Sequence, residues 1–162
     1  MQNWPPDIRG IIVGPPEHLM HTADYSKFEA RIAAAVAHDE GLLQTFREGG
    51  DPYRSLGLTL GFDPAALDSS GHSYKIVKTM FLARLYGAGT LKIQEIARRD
   101  GLDISIRLIN EYLPILRRAM PGVEAWQATE TARLRASGEA RTLEDRRRLV
   151  RGVWSKDPTT RA

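Results

Sequence analysis

The run His21-Thr22-Ala23-Asp24-Tyr25-Ser26-Lys27-Phe28-Glu29-Ala30-Arg31 changes its period midway. Leu19–Ala23 reads as a short strand. From Ser26 onward, Phe28, Ile32, Ala35 and Val36 return at helical spacing. A segment of this kind presents a carboxylate, Asp24, at a buried strand end and starts an amphipathic helix at once, with Ser26 as its N-cap. That junction leaves few folds open, because an extended segment and a helix must share one core.

Downstream, glycine and proline divide the chain into helices. Short helices are expected over 41–48 and 52–60, the second opened by Asp51-Pro52, an N-cap followed by proline at the first helical position. Asp68-Ser69-Ser70-Gly71 reads as a loop. The next helix spans 73–86 and closes at Gly87-Ala88-Gly89. Further helices read at 90–99, 103–119 and 122–137, separated by Gly101 and Pro121-Gly122. Residues 139–153 suggest a small hairpin around Glu144-Asp145, and 156–160 a loop. Residues 1–17 form a proline-rich lead-in with a short strand near Ile11–Val13. The fold class expected is mostly α with a few strands (α+β).

With 162 residues, 42% apolar and 27% charged, the chain can bury a core of its own. It has no cysteine, so disulfides and thiolate metal sites are ruled out. The four histidines show no ligand spacing, and no nucleophilic triad is visible. No apolar run nears the roughly 18 residues of a membrane span. The N-terminus lacks the basic and apolar regions of a signal peptide, so a cytoplasmic location is expected. The charge is uneven: residues 1–71 carry a net −5 and residues 72–162 a net +8. An acidic part can hold cations while a basic part meets polyanions.

Two groups of residues carry chemistry. Asp24 can cap a helix or hold a cation. Lys78 and Tyr86 stand eight residues apart on the helix over 73–86, about 80° beyond two full turns, so both face one side. Lys75 and Arg84 add positive charge to that helix. A lysine is a point charge for phosphate, and a tyrosine before glycine is an aromatic plate where the chain can hinge.

Together these runs resemble motifs A and B of the family A (polymerase I-like) DNA polymerases. Asp24-Tyr25-Ser26, Glu29 and Arg31 match the first motif at every polar position except Lys27. Lys78, Tyr86 and Gly87 match the second, and Leu85-Tyr86-Gly87-Ala88-Gly89 is similar to the bacteriophage branch. Met1-Gln2-Asn3-Trp4-Pro5, Gly41-Leu42-Leu43, Phe46-Arg47-Glu48-Gly49, Asp51-Pro52-Tyr53 and Thr142-Leu143-Glu144-Asp145-Arg146-Arg147-Arg148 extend the likeness to about residue 151.

The resemblance implies a partial palm over 1–40, helical fingers over 41–138, and more palm over 139–162. It implies a DNA-directed DNA polymerase in which a primer 3′-hydroxyl attacks the α-phosphate of a deoxynucleoside triphosphate. The implied catalytic residues are Asp24 and Lys78, with Asp24 and Tyr25 holding Mg²⁺. Ser26, Glu29, Lys78, Tyr86 and Gly87 would bind the nucleotide, Glu29 beneath its sugar. Lys78 would neutralise the triphosphate and protonate the pyrophosphate. Arg31, Arg146 and Arg147 would touch the DNA template–primer.

Tyr74 and Leu82 depart from the pattern, standing where the family has an arginine and an aromatic ring. His72 or Lys75 are then candidates for the missing cation. The third motif, Gln-Gly-Thr-x-x-Asp with His-Asp-Glu, is absent. The resemblance thus implies a piece of a catalytic core, inactive alone, with a second polypeptide carrying the third motif as a candidate partner.

A different class also fits part of the chain. Residues 91–110 read as a helix-turn-helix around Gly101, with Ile96, Ala97 and Ile106 at the apolar positions. On that reading the protein is a non-enzymatic DNA-binding helical protein.

Overall fold

The computed structural model describes residues 8, 11, 13–19, 21 and 23–150. Within them run α1 (Phe28–Val36), α2 (Glu40–Arg47), α3 (Pro52–Thr59), a 3-10 turn at Pro64–Leu67, α4 (His72–Leu85), α5 (Thr90–Arg99), α6 (Ile106–Ala119) and α7 (Pro121–Ser137). The antiparallel ribbon of β1 (Glu139–Arg141) and β2 (Arg147–Leu149) follows. The chain is mostly helical, as the sequence led us to expect.

Local chemistry explains most helix starts. Asp51 accepts from the Tyr53 and Arg54 amides, and Pro52 takes the first helical position of α3. Ser105 caps α6 through the Leu108 amide at 3.2 Å. The end of α4 depends on Gly87, whose φ of 79° lies in the left-handed region that glycine enters without strain.

α4 is the central helix. Tyr74, Ile76, Val77, Met80, Phe81, Ala83 and Leu85 are all buried, and they cover most of its circumference. A helix apolar nearly all round must be surrounded, and α4 meets α1, α3, α5, α6 and the 3-10 turn. Tyr53 of α3 packs edge-on against both Tyr74 and Phe81, with ring centroids 5.8 and 5.2 Å apart. α5 and α6 add Ile93, Ala97, Ile109 and Leu116 to the same core.

Three expectations at the N-terminal side need correction. No described residue from 8 to 25 pairs as a strand, and Asp24 is exposed instead of ending a buried one. A strand needs a neighbour for its N–H and C=O groups, and none lies alongside among the described residues. Residues 10, 12, 20 and 22 lie outside the description, as do Met1–Pro5 and the loop at 156–160. Ser26 is not the N-cap of α1. That place belongs to Lys27, at φ 55°, with no side-chain cap. This turn brings the Lys27 ammonium to Asp51 at 3.2 Å.

The hairpin forms where expected, with Glu139 opposite Leu149 and Arg141 opposite Arg147. Its turn places Asp145 at φ 58°, a conformation aspartate tolerates better than most residues, and the Asp145 carboxylate pairs with Arg141 at 2.5 Å.

Candidate functional site

α1 and α4 build the site together. Glu29, in the first turn of α1, accepts a hydrogen bond from the Tyr86 hydroxyl at 2.9 Å, across 57 residues of sequence. This bond, with partial burial, holds the Tyr86 phenol above its ordinary pKa. Glu29, Lys78 and Tyr86 line one cavity of about 580 Å³ between α4 and α5. Leu82 and Ala83 form apolar wall on α4, with Ile96 and Leu102 opposite. The two runs singled out in the sequence therefore meet.

Helix geometry decides which cations belong to this cavity. Lys75 lies three residues before Lys78, about 60° round the helix, and shares its wall. Arg84 lies six residues after Lys78, about 240° round, and faces away. Its guanidinium grips both carboxylate oxygens of Glu124 on α7, each at 2.5 Å. Arg84 adds its charge to the helix, as expected, but not to this cavity. α5 supplies two further cations, Lys92 and Arg99. Sequence reasoning placed both on a helix without joining them to the site, because a reversal at Gly87 is needed to bring them across.

The other expected residues are placed less centrally. Asp24, Tyr25 and Ser26 lie on the exposed approach to α1, and the Tyr25 ring stacks on Phe28 at 5.4 Å. Arg31 Nε donates to the Ser26 main-chain carbonyl at 3.1 Å, and the Arg31 guanidinium lies over the Phe46 ring at 4.5 Å. Arg31 is thus engaged within the protein. Gly87 does not line this cavity and instead lines a second one with Tyr86 and residues of α7. Arg146 and Arg147 are exposed on the hairpin, and Arg147 pairs with Glu139 at 3.3 Å.

Tyr74 is buried, and its hydroxyl donates to Asp51 at 2.8 Å. Burial and this bond raise its pKa. Burial, with Asp51 and Glu29 nearby, pushes Tyr53 up to about 12.

Among the described residues no cluster of three or more His, Asp or Glu side chains forms a metal site. The donor chemistry is still of the right type. The Asp24 carboxylate and the Tyr25 carbonyl are hard oxygens suited to Mg²⁺, which takes one or two carboxylates and fills its shell from phosphates and water. Two such oxygens are fewer than a metal site needs. No described helix is long and apolar enough to cross a membrane.

The helix-turn-helix reading loses its geometry here. Six residues separate α5 from α6, where that motif uses a turn of three or four. Leu102 and Ile104 in this connection are buried, so it is packed into the core.

The profile of DNA polymerase family A matches residues 2–162. A thermostable DNA polymerase I from Thermus filiformis is 29% identical over 150 residues, covering 92% of this chain and 17% of that protein. A DNA polymerase of Mycobacterium phage D29 is 28% identical over 116 residues, covering 72% of this chain and 18% of its own. The chain thus spans about a sixth of these relatives' length. The POL domain of Pol1 from M. smegmatis, solved in complex with DNA primer-template and dNTP, shares the fold. Its TM-score is 0.67 at 22% identity, over 85% of this chain and 23% of that one. With the family profile matching nearly its whole length and the fold shared, this chain belongs to DNA polymerase family A.

Proposed function

We propose that this chain carries the nucleotide-binding fingers and part of the palm of a DNA-directed DNA polymerase. The division would follow residues 1–40, 41–138 and 139–162. The observation that carries this reading is the cavity in which Glu29, Lys78 and Tyr86 converge, with Tyr86 held on Glu29 at 2.9 Å. An exposed aromatic ring offers a stacking face, and a lysine offers charge to phosphate. Glu29 then stands against the sugar, and Tyr86 orders the incoming and templating bases. Lys78 neutralises the triphosphate and gives a proton to the departing pyrophosphate. Asp24 and Tyr25 would hold Mg²⁺, which would supply charge neutralisation during the phosphoryl transfer. The remaining carboxylate would come from polypeptide outside these residues. Arg31, Arg146 and Arg147 are assigned to the template–primer.

The test is a labelled primer–template bound to the chain, with DNA dissociation followed by anisotropy. The dNTP complementary to the template base should slow dissociation, and the other three should not. Lys78→Ala and Tyr86→Ala should each remove that effect. Selection of one duplex sequence without any nucleotide effect would point to the DNA-binding regulator instead. The chain alone should not extend the primer, and mixing with a polypeptide carrying the third motif should restore incorporation. Robust Mg²⁺-dependent extension by the chain alone, abolished by Asp24→Ala, would place the second carboxylate within these residues.

A further inference from the structure

Lys27 stands at the junction between α1 and the segment that carries Asp24, Tyr25 and Ser26. Its φ of 55° and ψ of 35° lie in the left-handed region, which costs free energy for a residue with a Cβ and is otherwise the place of glycine, asparagine and aspartate. No side-chain cap holds this turn. What the conformation achieves is an ion pair. The Lys27 ammonium lies 3.2 Å from Asp51 Oδ2 at the start of α3, and 3.5 Å from the Ser26 hydroxyl. Both charged side chains are largely covered, at 22% and 25% exposure, so salt screens them less than a surface pair. Asp51 is itself a fixed anchor. Its Oδ1 accepts from the Tyr53 and Arg54 amides of α3, and its Oδ2 from the Tyr74 hydroxyl of α4 at 2.8 Å. Lys27 and Tyr74, two positions at which the sequence departs from its family's pattern, therefore meet on one carboxylate. Tyr25 and Ser26 make local contacts by comparison, with Phe28 and Arg31.

We infer that Lys27 is a positioning residue: tied to Asp51, it holds the turn that sets where Asp24, Tyr25 and Ser26 stand relative to α3 and α4. One backbone residue redirects everything on its far side. A Lys27 released to an ordinary helical or extended conformation would send the segment in another direction while α1, anchored by the buried Ala30 and Ala34, stays in place. Tyr74 orients the Asp51 carboxylate from α4, so the tether joins three elements at one point. For its functional consequence alone, the inference rests on the nucleotide-site reading above.

The experiment measures that placement directly. The full 162-residue chain has no cysteine, so nitroxide labels can be attached through Ala23→Cys on the segment and Glu111→Cys on α6, both exposed positions. Pulsed dipolar spectroscopy should give one narrow distance. Lys27→Asn, which tolerates the left-handed turn but cannot reach Asp51, should broaden or shift it. Lys27→Asp, which tolerates the turn equally and repels Asp51, should shift it further. Lys27→Arg, which keeps the ion pair, should leave it as in the unaltered chain. Circular dichroism should be the same for all, since α1 keeps its packing. In parallel, the slowing of DNA release by the complementary dNTP should weaken several-fold in Lys27→Asn and recover in Lys27→Arg. If the distance is unchanged in Lys27→Asn and Lys27→Asp, or is lost equally in Lys27→Arg, the inference falls. If the distance responds as stated but the dNTP effect is untouched, while Lys78→Ala removes it, Lys27 does not position the site and the inference falls with the nucleotide reading intact. If the distance responds and no dNTP slows DNA release even in the unaltered chain, the placement by Lys27 stands and the nucleotide reading falls.

Discussion

Asp39 is the only charged side chain buried among the described residues, and two helices begin on it. Its Oδ1 accepts from the Leu42 amide at the start of α2. Its Oδ2 accepts from the Gly122 and Val123 amides at the start of α7, at 2.8 and 3.2 Å. Helix N-termini favour a negative charge, and here one carboxylate serves two of them. Gly122 allows the approach, since a Cβ there would stand 2.8 Å from the Asp39 Cα. Asp39→Ala should cost about 3 kcal/mol, because buried amides lose their acceptor, and Asp39→Asn about 1 kcal/mol. Urea unfolding at pH 7 measures both. A second residue-scale prediction concerns alkali. Tyr53, at about 12, and Tyr74 bind their protons more tightly folded than unfolded, where the phenol value is 10.0. Their contribution is therefore whole below pH 10 and is lost as pH rises through the folded values. Stability should fall between pH 10 and 12, and the variant Tyr53→Phe/Tyr74→Phe should show a shallower fall in urea unfolding across that range. At pH 7 the Tyr74→Phe change alone should cost about 1 kcal/mol for its bond to Asp51.

Among the elements, α4 carries the site and α7 holds α4 in place. The Gln127 amide donates to the Leu85 carbonyl at 2.6 Å and to that of Arg84 at 3.4 Å, satisfying the last turn of α4. One turn earlier on α7, Glu124 takes the Arg84 guanidinium, and both side chains are largely covered, at 12% and 23% exposure. Tyr86 follows directly, so its ring position depends on α7 as well as on Glu29. Removing Glu124 leaves the covered Arg84 charge alone, whereas Glu124 also has Arg117 at 4.0 Å. Glu124→Ala should cost about 3 kcal/mol, whereas Arg84→Met with Glu124→Leu should come close to neutral. A double-mutant cycle by chemical denaturation gives the coupling, and a value near zero would mean the pair is solvated.

At the scale of the whole molecule the charge division matters. The excess of cations lies from residue 72 onward, on α4 to α7 and the hairpin. A nucleic acid bound to this part releases counterions, so affinity for a primer–template should fall steeply between 50 and 200 mM salt. Arg146→Ala and Arg147→Ala should each lower the slope of log affinity against log salt by about 0.9, measured by anisotropy. An unchanged slope would place the hairpin away from DNA.

Much of the helical framework was legible because its signals are local. Asp51-Pro52 starts a helix by supplying an acceptor and a preset φ, and Gly87 ends one by adopting a left-handed φ. Neither needs a distant residue. Lys78 and Tyr86 fall on one face by helix arithmetic alone, and the family resemblance rests on runs of adjacent residues. The lead-in strands were misread because a short apolar run pairs as a strand only where a partner lies beside it, and none does among the described residues. Tertiary structure alone decided the rest. Tyr74 donates to Asp51 across 23 residues, Arg84 to Glu124 across 40, and Gly122 to Asp39 across 83. Arg99 reaches the cavity only after the chain has reversed. In each case the partner is set by how helices pack, and packing brings together positions that no local pattern connects.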